Sequence, residues 1–178
     1  MNNLIDQVQM DKYLVEIQNY PELINKWNKR LREGQFSHYR AERYYKKYHY
    51  FFGVPAMIFA VISGSAVYLY DSFLNVASLG AIVGVCSFIS SLLIGVQTFV
   101  NFSGLAEKHL SAAVKYGVLR RDVERIMVLI KSDEDLPLIK NQISLLKSQI
   151  DDIASNSPNI SHRIWRKATE VMDKELNR

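Results

Sequence analysis

Two long stretches without a formal charge follow one another in this chain, and they restrict its fold more than any other feature. From Tyr48 to Tyr70 there is no Asp, Glu, Lys or Arg, and His49 is the only group that titrates near neutrality. From Ser72 to Ala106 there is again none, leaving Asp71 alone between the two runs. A helix rises about 1.5 Å per residue, so about 20 apolar residues cross a hydrocarbon core of about 30 Å. Two spans fit, at about residues 51–70 and 76–101. Buried core helices of a soluble protein are the alternative, but consecutive charge-free runs of this length argue against it. The mean hydropathy of −0.07 conceals these runs because charged segments flank them.

The flanks also set an orientation. Arg30, Arg32, Arg40, Arg43, Lys46 and Lys47 precede the first run, and Lys108, Lys115, Arg120 and Arg121 follow the second. The connecting "DSFLN" carries neither Lys nor Arg. Positive residues stay inside, which predicts both termini in the cytoplasm and a multi-pass protein of the inner (plasma) membrane. No apolar segment precedes residue 50 and Asp6 and Asp11 are acidic, so no cleaved signal peptide is expected. The lone Cys86 falls within a span and cannot form an intrachain disulfide. The pI near 9.1 reads as the same positive-inside signal rather than as affinity for nucleic acid.

Outside the spans the pattern is helical. "NYPELINKWNKRLREG" starts a helix with Pro21 in its first turn, and Gly34 marks a stop or kink. Tyr48, Tyr50, Phe51 and Phe52 fall where an aromatic headgroup belt belongs, as Tyr68, Tyr70 and Phe73 do at the other end, and Gly53 and Pro55 predict a bend. After the second span, Leu105, His109, Ala112, Tyr116, Leu119, Val123, Ile126 and Ile130 recur in steps of three and four, so the span is expected to continue as one long helix. "KSDEDLP" stops it, a further seam runs from Leu136 to Ile153, and a basic amphipathic helix begins near Ser161. The expected fold is all-α: a two-transmembrane helical hairpin continuing into a cytoplasmic helical bundle, and homo-oligomeric. Its parts are N-terminal cytoplasmic helices at 1–34, the hairpin with its extensions at 35–131, and C-terminal helices at 132–178.

The second span carries polar groups that lipid does not tolerate unpaired. On a helical wheel, Ser87, Ser90, Ile94, Gln97 and Asn101 lie on one flank of a broad small and polar face, opposite the large apolar residues. Helix packing alone is one explanation; a shared aqueous axis lined by these five, with Ile94 as a dewetted gate, is the other. Gly53, Ala56, Ala60, Gly64, Gly80 and Gly84 are the expected helix-packing positions. His38 and His109 stand at similar distances from the loop, as do Arg40 and Glu107, so a continuous hairpin would bring each pair to one depth and couple the helices there.

In their order these features resemble the bacterial SLATT proteins, two-transmembrane effectors associated with SMODS nucleotide synthases and SLOG sensors. The carriers are Trp27, His38 with Ala41, "GVP" at Gly53 to Pro55, "QTFVNF" leading into Ala106, Glu107 and His109, then Tyr116, "LRRDVE" and "SNSPNIS". The likeness extends from about residue 20 to 170. It implies an oligomeric inner-membrane effector of an anti-phage or conflict defence system. Such an effector opens a pore when infection or a nucleotide second messenger is sensed, arresting or killing the cell. No sensor or synthase is legible within this sequence, which leaves the trigger open; a nucleotide second messenger or a soluble sensor protein is the partner the resemblance implies.

No phosphate loop, metal-ligand spacing or nucleophile with a base is legible, so neither an enzyme nor a cofactor is expected. Arg163, Trp165, Arg166 and Lys167 in "SHRIWRK" suit a stacked base and its phosphate; a solvated basic face with Trp165 packed inward is the simpler reading. The alternative function is a non-conducting membrane scaffold or regulatory subunit that recruits a soluble partner through the C-terminal helices.

Overall fold

The computed structural model describes the backbone of residues 2–73, 77–131 and 136–176, and the side chains of 20–66, 80–130 and 137–174. The protein is all-α, with no strand among the described residues. The described residues form five helices, α1 (Asn2–Phe73), α2 (Ala77–Val100), α3 (Phe102–Lys131), α4 (Leu136–Asn156) and α5 (His162–Leu176). The anchors Tyr68, Tyr70 and Phe73 and most of the expected stop "KSDEDLP" lie outside the described side chains.

Two compact units form: residues 1–40 with 109–178, and residues 41–108. This division differs from the expected one at 34 and 131. The seam residues explain the first unit. Ile24 and Leu31 of α1, Leu119, Val123 and Ile126 of α3, and Ile139, Ile143, Leu146 and Ile153 of α4 make one buried cluster. Their three- and four-residue steps place them on single helix faces, and Trp27, Tyr116 and Ile150 pack against them. Ile24 and Leu31 of α1 and the α4 seam thus pack together with α3. On α5, Ile164, Ala168 and Met172 are buried at intervals of four.

Gly34 does not stop α1, which is helical throughout that stretch and through Gly53 and Pro55. The glycine is there for contact. A Cβ at Gly34 would stand 2.7 Å from the Tyr116 ring, and one at Gly117 would stand 2.6 Å from the Gln35 amide. Each helix thus offers a glycine to a side chain of the other, and Arg120 Nη1 closes the contact by donating to Gln35 Oε1 at 3.3 Å.

In the second unit, contacts step down α1 as they step up the chain beyond it. Ser90 Oγ donates to the Ala56 carbonyl at 2.9 Å, Gln97 meets His49 at 3.0 Å, and Phe102 stacks on Phe52 and Tyr48 with centroids 5.5 and 5.8 Å apart. Ala56 is buried, and Gly53 packs on the Gln97 amide. Much of the remaining surface is apolar: Met57, Val61, Val85, Phe88, Leu92 and Phe99 are all more than half exposed. Two helical stretches are long and apolar enough to cross a membrane, and only 11% and 6% of their apolar windows are buried inside the chain. Core helices of a soluble protein would be mostly covered.

The expected long helix through the second span breaks at a single residue. Asn101 has φ 51°, the left-handed region. Asparagine enters it more readily than most residues, and its side chain then serves the next helix. Its N–H still donates to the Gln97 carbonyl at 2.9 Å, its carbonyl accepts from Leu105 at 3.0 Å, and its Oδ1 caps α3 by accepting the Gly104 N–H at 3.1 Å.

Candidate functional site

Two polar constellations stand out, one in each unit. In the first, His38 and His109 are buried, 3% and 1% exposed, with their Nδ1 atoms 3.0 Å apart. The Tyr116 ring stacks on His38 with centroids 5.3 Å apart. Two nitrogens at that distance share one proton: one ring donates Nδ1–H and the other accepts, which requires opposite tautomers. Burial, followed by the neighbouring His109, pulls His38 down from 6.5 to about 4, and burial lowers His109 as well. Both rings are therefore neutral at cellular pH. The pair is a hydrogen-bonded fastening between α1 and α3. Among the described residues no group of three or more His, Cys, Asp or Glu is placed to hold a metal. Arg40 is half-buried and Glu107 exposed.

The second constellation lies where α2 meets α3. His49, Ile94, Gln97, Thr98, Asn101 and Ser103 line a recess of about 310 Å³. Gln97 Nε2 donates to His49 Nδ1, which leaves the proton of the neutral imidazole on Nε2. Three of the five expected axis residues thus share one recess, but the five do not share one role. Ser90 is buried and bonded to α1, and Gln97 is half-buried against it, whereas Ser87, Ile94 and Asn101 are exposed. A wheel gives angles between residues, not the direction of the neighbour, and the flank assigned to the axis partly faces α1. The packing positions divide likewise. Gly53 and Ala56 make contacts within the chain, Ala60 is exposed, and added Cβ atoms at Gly64, Gly80 and Gly84 would meet nothing within 4 Å.

On α5, Arg163, Arg166 and Lys167 are exposed, with Arg166 Nε 3.8 Å from Glu170. Trp165 is 37% exposed, so its ring is partly covered and partly at the surface, beside the buried Ile164. Sequence reasoning missed His49 as a site residue. Its signal was present, since it is the only imidazole in a charge-free run, but its partner is distant in sequence. Gln35 and Gly117 were missed for the same reason.

The chain matches no protein-family model, no curated protein and no solved structure at a significant level.

Proposed function

We propose that this chain is a pore-forming or membrane-permeabilising effector of the SLATT type, acting in a bacterial anti-phage or conflict defence system. In this reading α1 and α2 form a transmembrane hairpin of the inner membrane with both termini cytoplasmic. Copies assemble into a homo-oligomer, and a nucleotide second messenger or soluble sensor opens it, with growth arrest or death as the outcome. The observation that carries the reading is the mixed surface of α2. Exposed Ser87, Ser91 and Thr98 occupy the same helix as exposed Phe88, Leu92 and Phe99. Lipid suits the second set and is costly for the first, by several kcal/mol for each unpaired group. A neighbouring copy or a water-filled axis satisfies the hydroxyls. Uncharged linings give weak ion selectivity, and Ile94 beside them is the apolar constriction.

Dye and ion release from proteoliposomes tests this, with and without extract from infected cells. Triggered release that Ile94→Asn makes constitutive supports the reading; release from neither protein under any trigger refutes it. A second reading draws on Trp165, Arg163 and Lys167, which are exposed on α5: a non-conducting scaffold that recruits a soluble partner. Capture of one defined partner, lost in Trp165→Ala, with no flux in liposomes, would favour it.

A further inference from the structure

The hydrogen bonds already made around the recess at the α2 to α3 junction decide what it still offers. Gln97 Nε2 donates to His49 Nδ1 at 3.0 Å, so His49 presents Nε2–H. Asn101 Oδ1 is taken by the Gly104 N–H at 3.1 Å, so its NH₂ end is the one left to bind. Thr98 and Ser103 add hydroxyls, and no carboxylate lines the recess. Two donors and two hydroxyls that can donate thus line one recess. A volume of about 310 Å³ falls at the lower end of small-molecule sites, roughly 300 to 1,000 Å³.

Such a recess complements a group with several acceptor oxygens. Its level narrows the class further. From Gly80 to Val100, α2 covers about 30 Å at about 1.5 Å per residue, one hydrocarbon thickness, and the aromatic stack of Tyr48, Phe52 and Phe102 lies at the same end. In the membrane reading above, on which this step rests, that end is at the headgroups. We propose that the recess is a phosphate-binding site, filled by the headgroup of an anionic phospholipid or by the phosphate of a soluble ligand.

The test uses the full chain. In one arm, protein in nanodiscs of phosphatidylcholine with phosphatidylglycerol is released for native mass spectrometry, and retained lipid is counted. In the other, lipid-free protein in uncharged detergent is titrated with inorganic phosphate while its melting temperature is followed. Each hydrogen bond lost to a charged group weakens binding about tenfold or more, so Thr98→Val with Ser103→Ala should weaken it about a hundredfold. Ser103→Ala alone, at an exposed position, guards against misfolding in the double variant and should also weaken binding measurably. Selective retention of phosphatidylglycerol that the variants lose identifies a lipid phosphate. A phosphate-dependent rise in melting temperature that the variants lose identifies a soluble one. Retention unchanged in both variants, or no response in either arm, overturns the proposal. A chain that purifies without detergent overturns the membrane reading instead, and leaves the phosphate titration to decide the site.

Discussion

Mild acid should loosen the unit held by the histidine pair. His38 moves from its ordinary 6.5 to about 4 on folding because burial disfavours the imidazolium. The sign follows from proton binding. Between those values the unfolded chain holds the proton and the folded chain does not, so stability rises with pH across the window. The contribution is whole above about pH 6.5, falls as pH drops through the window, and is lost by about pH 4. At about pH 5 the loss is about 1.5 pH units at 1.36 kcal/mol each, or about 2 kcal/mol from His38. His109 shifts in the same direction and adds to it. For a chain of this length each kcal/mol moves the midpoint about 2 to 4 °C, so melting should fall by about 4 to 8 °C between about pH 7.5 and pH 5.

The assay is thermal unfolding in uncharged detergent, comparing the parent with His38→Leu/His109→Leu. Removing both partners avoids leaving one buried nitrogen unpaired, which by itself would cost about 1 to 3 kcal/mol. The double variant should be nearly flat across the pH range in which the parent declines. Equal declines in parent and variant would show that other groups carry the acid sensitivity and that the pair does not fasten α1 to α3 as described.

Gly34→Ala should destabilise by about 1 to 3 kcal/mol, because its Cβ meets the Tyr116 ring at 2.7 Å and that ring is held against His38, whereas Gly117→Ala should cost less, since the Gln35 amide end can move; denaturant midpoints give the order. Ser90→Ala should lose about 0.6 kcal/mol of interhelical bonding, up to about 2, without changing secondary structure, as read by unfolding in mild detergent with circular dichroism. Asn101→Gly keeps the left-handed backbone and loses the cap, while Asn101→Ala loses both, so melting temperatures should rank parent, then Gly, then Ala. Ala60→Phe, at an exposed position, should leave the fold of the chain intact and lower its native mass in detergent if copies assemble through that face.

The seams were legible because burial in helices is periodic: Leu119, Val123 and Ile126 sit in the core at the spacing their sequence predicts. The histidine pair was legible for a different reason, since the expected hairpin would set residues at equal distances from its connection side by side, and His38 and His109 do meet. Glycines were misread. Gly34 has the composition of a stop, yet close approach to an aromatic ring needs the same missing Cβ, and a sequence cannot say which use applies until the neighbour is known. Asn101 shows the converse. A one-residue break that keeps the backbone bonds on both sides leaves the apolar pattern unshifted, so nothing in the periodicity announces it.

The polar face of α2 illustrates how far a wheel can go and what must be added. Ser87, Ser91, Ile94 and Thr98 lie within about 60° of arc, with Ser90 and Gln97 about 60 to 80° to one side of Ser87, at 100° per residue. The side taken by Ser90 and Gln97 is used within the chain: one bonds a carbonyl of α1 and the other its imidazole. The other side has no such use, and added Cβ atoms at Gly80, Gly84 and Gly95 would meet nothing within 4 Å. Any shared axis is therefore better centred on Ser87, Ser91, Ile94 and Thr98 than on the flank the sequence suggested. Gln97 becomes a strut between helices, and its replacement by Leu would disturb packing before it disturbed flow. Thr98→Val, exposed and nearly isosteric, is the substitution that separates the two roles.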